Sequence, residues 1–135
     1  MRKLLQYILR WFTKRILDRY RPTVVGITGS VGKTSTKDAV AIVLEAAFPG
    51  RVRRSPATYN NEFGMPLAVI GAASPGRSVA GWLGVLGRAA WLLARNHEYP
   101  KVLVLELGVD RPGDLAYLLA VVPVKVAVTT AVGDL

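Results

Sequence analysis

The sequence of 135 residues contains no cysteine and only one histidine, His97. The absence of cysteine excludes disulfide bonds, a thiolate nucleophile and any metal site built on sulfur ligands. It also fits a reducing compartment. His97 lies in the polar turn "RNHEYP" with no second histidine nearby. We therefore expect its side chain to be solvated rather than to bind a metal.

Acidic residues are scarce as well, with 9 Asp and Glu against 18 Lys and Arg, so that the net charge is +9. The imbalance is concentrated in residues 1–22, where seven basic residues accompany a single acid, Asp18. This segment therefore carries +6 of the total. A basic segment followed by a nearly balanced body indicates an anionic partner for the segment.

No apolar run is long enough to cross a bilayer, which takes about 20 residues. The run at 79–94, "VAGWLGVLGRAAWLLA", is shorter and contains one charge, Arg88. We predict that it forms a helix that is buried or grazes a membrane.

Residues 1–21 predict a basic amphipathic helix, because apolar residues recur at helical spacing and basic residues fill most of the other face. The apolar positions are Leu5, Ile8, Leu9, Phe12, Ile16 and Tyr20. Two alternatives remain open for this helix. It lies on an anionic membrane surface with Tyr7 and Trp11 near the headgroups, or it packs its apolar side against the rest of the protein. Nucleic acid is not expected as a partner, since no recognised motif accompanies the charge.

Strands and helices alternate along the remaining chain. Buried strands are predicted at 23–28, 101–108 and 124–132, with a short strand after residue 51, and helices at 33–48, 66–73, 79–94 and 112–122. This alternation predicts an α/β fold, a parallel sheet covered by helices on both faces.

The segment "GITGSVGKTSTKDAV", residues 26–40, predicts a phosphate-binding loop. Gly29, Ser30, Val31 and Gly32 form a turn between the first strand and the following helix, and glycine lets backbone N–H groups approach a phosphate closely. The helix adds the positive end of its dipole. The strict form of this motif has glycine where Ile27 stands, with Gly26 one place earlier.

The flanking residues of the loop have predicted roles. Lys33 is placed to reach the β- and γ-phosphates of a nucleotide, and the Thr34 hydroxyl is placed to bind Mg²⁺. Thr28 and Ser35 complete the predicted nucleotide-binding set.

A second partner for Mg²⁺ is expected at the end of a neighbouring buried strand. Glu106 follows the apolar run at 102–105, and a carboxylate there suits a magnesium ion. The alternative is a structural pairing of Glu106 with a nearby cation such as Lys33.

The turn "TYNNEFG", residues 58–64, contains two amides, Asn60 and Asn61, followed by an acid. Such a turn can bind phosphate or substrate, or can cap the helix near Pro66. Taken alone, the pattern favours capping.

Together, these three segments resemble the central, ATP-binding domain of the Mur ligase family. The loop resembles the family pattern TGxxGKT[ST]TK. "TYNNEFGMPLAVI" resembles N-x-N-N-x-x-G-x-P-L, with Thr58 in place of the first Asn. "LELGVDRPGDLAYLLAVVPVKVAVTTAVGDL" resembles the stretch that follows. The resemblance covers residues 22–135, and its NNE–G–PL form is similar to the subgroup that adds D-alanyl-D-alanine to UDP-N-acetylmuramoyl-tripeptide.

The resemblance implies a P-loop-type fold and ATP-dependent amide ligation. ATP would phosphorylate the carboxylate of the nucleotide-linked peptide, and the amine of D-Ala-D-Ala would attack the acyl phosphate. Lys33 would steady the phosphates, Thr34 and Glu106 would organise Mg²⁺, and Asn60 and Asn61 would line the reaction site. The substrates imply a cytoplasmic location, or one at the inner face of the membrane if the basic helix binds lipid.

Several features depart from the family pattern. The histidine usual after the last strand would fall beyond residue 135, and Ala131 replaces a usual Asn. The family's separate N-terminal and C-terminal domains are not represented. We therefore expect an incomplete domain, truncated at its C-terminal end, that binds nucleotide weakly and does not complete ligation alone. Two alternatives are a ligase of the folylpolyglutamate or cyanophycin type and a non-catalytic, membrane-associated nucleotide-binding module.

Overall fold

The computed structural model describes residues 1–133 and contains five helices and four strands over that range. The helices are α1 (Arg2–Tyr20), α2 (Lys33–Ala47), α3 (Gly64–Ile70), α4 (Val79–Ala94) and α5 (Asp114–Val121). The strands are β1 (Thr23–Thr28), β2 (Val52–Arg54), β3 (Val102–Glu106) and β4 (Val126–Thr129). The predicted boundary between residues 21 and 22 falls in the turn between α1 and β1. The last two residues of the predicted 22–135 domain lie outside the described residues.

The four strands form one parallel sheet in the order β2-β3-β1-β4. In its register Ile27 of β1 lies beside Glu106 of β3, and Thr28 lies beside Thr129 of β4. The ends of β1, β3 and β4 therefore meet at one edge of the sheet. The predicted parallel α/β sheet is confirmed.

Helices cover both faces of the sheet, because successive side chains of a strand point to opposite sides. Val25 and Ile27 pack with Ala41 of α2 on one face. On the other face, Val24 and Leu103 join a larger core built with α1, α3, α4 and α5. The central strands are buried on both faces, which explains their continuous apolar sequences.

Helix α1 packs against α3, α4 and α5 rather than standing apart from the body. Leu9, Ile16 and Leu17 are buried in the larger core. The hydroxyl of Tyr20 donates a hydrogen bond to the Leu92 carbonyl of α4, at 2.6 Å, and the Tyr20 ring stacks on Tyr99. One face of α1 is therefore a structural part of the body.

The strand predicted at 124–132 is present as β4, but the prediction that it is buried was wrong. Val126 is 48% exposed, and Val128 is only partly buried. Within residues 1–133, β4 lies at the edge of the sheet and pairs with one strand, β1. Its residues are apolar, but no described helix packs closely over this strand.

Helix α4 has the predicted bounds but is only half buried. Val85, Ala89 and Leu92 face the core, whereas Leu83 and Trp91 are exposed. Across residues 1–133, no helix combines the length and apolarity needed to cross a bilayer.

His97 is only partly exposed, whereas a solvated side chain was expected. Its ring stacks on Trp91 with 3.4 Å between centroids, and its Nε2 lies 3.0 Å from the Trp91 carbonyl. His97 therefore packs against the last turns of α4 while part of its side chain stays exposed.

Candidate functional site

The predicted phosphate loop, residues 29–32, connects the carboxyl end of β1 to α2. From the adjacent pair β1 and β3, the connections lead in opposite directions. α2 leads from β1 to β2 beyond β3, and α5 leads from β3 to β4 beyond β1. Open parallel sheets bind their ligands in the crevice at such a switch point. The loop therefore lies where the topology alone would place a ligand.

Two glycines give the loop its shape. Gly29 has φ 139° and Gly32 has φ 82°, both in the range that side chains with a Cβ rarely adopt. A Cβ on Gly29 would overlap Oγ1 of Thr130, whereas a Cβ on Gly32 would meet no atom of residues 1–133 within 4 Å. Gly29 is therefore required by close packing as well as by backbone geometry.

The segment after β4 braces the loop. The Thr130 hydroxyl donates to the carbonyl of Val31 at 2.7 Å. The N–H groups of Ser30 and Val31 donate to the carbonyl of Ala131, at 3.0 and 3.4 Å. Two of the loop amides are thus already satisfied within the protein. The donors left for a phosphate are the first N–H groups of α2, which have no partner inside the helix.

A cavity of about 250 Å³ opens at the start of α2. Its lining consists of Ser30, Gly32, Lys33, Thr34, Ser35 and Glu106. Five of the residues predicted from the loop and the acid predicted from β3 are therefore brought together. Thr28, Gly29 and Val31 do not line this cavity. Thr28 is the last residue of β1, and Gly29 and Val31 belong to the loop and contact Thr130.

Lys33 folds back over the loop. Its Nζ donates to the carbonyl of Gly29 at 2.8 Å, and the side chain is partly buried. The ammonium group is thus held at the mouth of the cavity, on the glycine turn rather than on Glu106. This places a positive charge beside the helix N-terminus, where a phosphate tail would lie.

Thr34 and Glu106 present oxygen atoms to the same space. The Thr34 hydroxyl donates to Oε2 of Glu106 at 3.1 Å, and Glu106 is 4% exposed. A hydroxyl and a carboxylate side by side are the protein ligands that Mg²⁺ accepts when phosphate oxygens and water complete its shell. Within residues 1–133, no cluster of three or more His, Asp or Glu side chains could hold a metal by itself. The residues present therefore fit a magnesium ion that arrives with a phosphate ligand.

The cation paired with Glu106 is Lys37, one turn further along α2. Its Nζ lies 3.8 Å from Oε2 of Glu106, and the residue is 2% exposed. Lys37 also lies 3.7 Å from Asp38, which in turn pairs with Arg54 of β2 at 3.5 Å. This chain of charges joins α2 to the end of the sheet.

Sequence reasoning missed Lys37, although a signal was present. Lys37 follows Lys33 by four positions and Thr34 by three, which places all three on one face of α2. Ser55 was missed as well. Its hydroxyl accepts the N–H of Glu106 at 3.1 Å and is buried, and it fixes the strand end that carries the carboxylate. A lone serine after a short strand gave no sequence signal for this role.

The two asparagines have structural contacts of different kinds. The Asn61 side-chain oxygen accepts the N–H groups of Phe63 and Gly64, at 3.1 and 2.9 Å, so it caps the start of α3. The main-chain carbonyl of Asn60 accepts the N–H of Gly108, just past β3, at 2.7 Å. Asn61 lines a small cavity near α5 that is separate from the one at Lys33. The capping interpretation of Asn61 agrees with these contacts, and a catalytic role for either asparagine stays a prediction.

The architecture and this edge site define an α/β protein with a candidate anion site at the switch point of a parallel sheet. No protein-family model matches the chain. The chain is 40% identical over 111 residues to the UDP-N-acetylmuramoyl-tripeptide–D-alanyl-D-alanine ligase of Mycobacterium leprae, covering 82% of this chain and 16% of the relative. It is 34% identical over 111 residues to the ligase of the same name from Mycobacterium tuberculosis (strain H37Rv), covering 82% and 17%.

A solved structure is similar as well. The crystal structure of MurF ligase from Thermotoga maritima in complex with ADP matches 95% of this chain and 24% of its own, with 30% identity and a TM-score of 0.66. Over most of its own length the chain is therefore similar to Mur ligases. It spans between about a sixth and a quarter of the length of these relatives.

Proposed function

We propose that the chain is the ATP-binding part of an amide ligase of peptidoglycan precursor synthesis. Its reaction would add D-Ala-D-Ala to a UDP-N-acetylmuramoyl-tripeptide. The observation that carries the proposal is the convergence of Lys33, Thr34 and Glu106 on one cavity at a helix N-terminus. The similarity to the named ligases supports the class of reaction, and the ADP in the Thermotoga maritima structure supports the nucleotide.

Each of these residues has a proposed role in holding the triphosphate. The first N–H groups of α2 donate to the phosphate oxygens, and Lys33 leaves the Gly29 carbonyl to neutralise the β- and γ-phosphates. Thr34 and Glu106 would hold Mg²⁺, which supplies positive charge to the phosphate oxygens when bound. The shape of the phosphate-binding loop would depend on the other residues of the predicted set, Thr28, Gly29, Ser30, Val31, Gly32 and Ser35.

The reaction follows from what charge must be stabilised. Transfer of the γ-phosphoryl group to the peptide carboxylate gives an acyl phosphate and ADP. The amine of D-Ala-D-Ala then attacks the acyl carbon, and phosphate leaves. Because negative charge spreads over the transferring phosphoryl oxygens, fixed cations and N–H donors are the main means of catalysis. Asn60 and Asn61 are proposed to line the reaction site from the start of α3, next to the end of β3.

The location follows from the proposed substrates. A UDP-linked peptide and ATP are soluble cytoplasmic compounds, so the proposed place of work is the cytoplasm. A second position, on the inner face of the membrane, depends on α1 and is argued below.

Nucleotide binding by this chain is tested by calorimetric titration with ATP in the presence of Mg²⁺. We expect saturable binding. Lys33→Ala should weaken it by about tenfold to a hundredfold, which corresponds to the loss of one or two charge-assisted hydrogen bonds. Lys101→Ala is the matched control, because Lys101 is an exposed lysine at the opposite, amino edge of the sheet. Equal affinity of Lys33→Ala and the unchanged protein would refute the loop assignment.

The ligase part of the proposal is tested on the protein as its gene encodes it, including any sequence downstream of codon 135. We expect phosphate release that requires ATP, the muramyl tripeptide and D-Ala-D-Ala together. ATP binding with no release under these conditions would favour a non-catalytic nucleotide-binding module. Release with a different acceptor would transfer the protein to another branch of the family.

A further inference from the structure

The outer side of α1 carries an apolar ridge that the fold does not use. The ridge consists of Leu4, Tyr7 and Trp11, which are 63%, 69% and 45% exposed. Their spacing of three and four residues places them on one side of the helix. The buried residues Leu9 and Ile16 lie on the opposite side. α1 is therefore apolar on two faces, and within residues 1–133 only the inner one is covered.

Basic residues flank the outer ridge. Lys3, Lys14 and Arg15 are exposed, and the Arg15 guanidinium lies 5.3 Å from the centre of the Trp11 ring. Over residues 1–133, the ion pair formed by α1 is Arg2 with Glu62, at 3.7 Å. No acid in that range lies within 4 Å of the Lys3 or Lys14 ammonium group, so most of the +6 charge of residues 1–22 remains available to a partner.

The neighbouring helix adds apolar surface of the same kind. α4 packs against α1 on the same side of the sheet. Its exposed residues include Val79, Leu83 and Trp91, and its one charge, Arg88, donates to the Ile70 carbonyl. The side of the protein remote from α2 thus carries exposed large apolar side chains on two neighbouring helices, a feature typical of an interaction surface.

We propose that the outer ridge of α1 and its flanking cations bind the surface of an anionic lipid bilayer. Such a surface offers an apolar layer for Leu4, Tyr7 and Trp11 and negative headgroups for Lys3 and Lys14. α1 would lie in the plane of the interface while its inner face keeps the core. The phosphates of a nucleic acid would pair with the cations, but they would leave the ridge, including Leu4, without an apolar partner.

This contact is independent of the phosphate cavity. No residue of α1 lines that cavity, which opens at the carboxyl edge of the sheet. Within residues 1–133 no helix can span a bilayer, so the proposed contact is shallow. It therefore leaves the proposed nucleotide site accessible, and its failure would not affect that proposal.

Deleting α1 is not a clean test, because Leu9, Ile16 and Leu17 are part of the core. The test uses the full chain and cosedimentation with vesicles of phosphatidylcholine containing about 30% phosphatidylglycerol, at about 0.05 M and 0.5 M salt. We expect binding to these vesicles that falls at least about fivefold at the higher salt, and much weaker binding to pure phosphatidylcholine. Trp fluorescence should shift to shorter wavelength on binding.

Two double variants separate the apolar and the electrostatic parts. Tyr7→Ser with Trp11→Ser, and Lys3→Glu with Lys14→Glu, should each reduce binding at least about tenfold while ATP binding and helix content stay unchanged. The apolar control is Ile42→Ser with Val43→Ser, since these α2 residues are 65% and 69% exposed and α2 covers the other face of the sheet. The charge control is Lys101→Glu with Lys125→Glu, which changes the net charge equally.

Several outcomes would overturn the proposal. Unchanged vesicle binding in both α1 variants would show that neither the ridge nor its flanking lysines contact the bilayer. Equal losses in the control variants would show that the effect is not specific to α1. Binding to a single-stranded oligonucleotide without binding to vesicles would make nucleic acid the partner. Self-association that Tyr7→Ser with Trp11→Ser abolishes, with no vesicle binding, would make a second copy the partner.

Discussion

Lys37 and Glu106 form a buried ion pair beneath the candidate phosphate site, with 3.8 Å between Nζ and Oε2. Lys37 is 2% exposed and Glu106 is 4% exposed. The same Glu106 oxygen accepts the hydroxyl of Thr34. The carboxylate is thus held between a structural cation on one side and the proposed metal ligand on the other.

We predict that Lys37→Met destabilises the fold by about 3 kcal/mol, because it leaves the Glu106 charge buried without its cation. The measurement is urea unfolding followed by circular dichroism. The double variant Lys37→Met with Glu106→Gln should regain at least about 1 kcal/mol, since no uncompensated charge then remains. A loss within about 0.5 kcal/mol for the single variant would show that water reaches the carboxylate.

We predict that Glu106→Gln reduces the Mg²⁺ dependence of ATP binding more than Asp110→Asn does. The unchanged protein should bind ATP about tenfold more tightly with Mg²⁺ than with a chelator, and Glu106→Gln should bring this ratio below about threefold. Asp110 is an exposed acid four residues further on and serves as the control. Folding of Glu106→Gln is checked by circular dichroism, because Lys37 loses its partner. Equal effects of the two substitutions would remove Glu106 from the metal site.

We predict that Gly29→Ala costs about 2 kcal/mol or more of stability and abolishes ATP binding. The new Cβ would overlap Thr130 Oγ1 and would hold an unfavourable φ of 139°. Gly32→Ala shares a positive φ, but its Cβ would meet no atom of the described residues within 4 Å, so its cost should be only about 1 kcal/mol. The two variants are compared by thermal unfolding and calorimetry. Similar losses of stability in the two variants would mean that Thr130 moves aside with little change in free energy.

We predict an alkaline loss of stability that depends on Tyr99. Burial raises the pKa of the Tyr99 phenol well above its usual range, while its hydroxyl donates to the Val69 carbonyl at 2.5 Å. Because the folded pKa exceeds the unfolded value of about 10, the neutral phenol stabilises the fold fully below that pH and progressively less above it.

The test compares urea midpoints at about pH 8 and about pH 11, on either side of the unfolded pKa. Tyr99→Phe should be less stable at the lower pH by about 1 kcal/mol, through the lost hydrogen bond, but should lose less stability between the two values. Tyr7→Phe, at a residue 69% exposed, should keep the pH dependence of the unchanged protein. An identical loss in Tyr99→Phe would place the alkaline transition elsewhere.

The parts of the fold that were predictable have a repeating pattern or a specific local motif. β1 at 23–28 and α4 at 79–94 have the predicted bounds, because a continuous β-branched run and a long apolar run are strong signals. The glycine turn predicted the loop between β1 and α2, and the strand-end position of Glu106 predicted its approach to Thr34. These predictions depend on residues close together in sequence or on a simple topological rule.

The parts that were not predictable depend on what covers a surface. The apolar residues of β4 would look the same whether or not a layer packed over them, so exposure of Val126 could not be anticipated. The same is true of α1, where Leu9 faces the core and Trp11 faces outward. Lys37 is a residue type that usually stays in solvent, and its burial became apparent only when β3 brought Glu106 beneath α2.

The brace from Thr130 to the glycine loop has a consequence for synthesis on the ribosome. The bonded residues Val31 and Thr130 are separated by 99 positions, so the loop leaves the exit tunnel long before its support is made. A nascent chain that ends ahead of residue 130 has the lysine and the glycines of the motif but lacks the contacts that hold them in shape. Nucleotide binding by chains arrested at increasing lengths should therefore begin abruptly, once β4 and Thr130 have emerged.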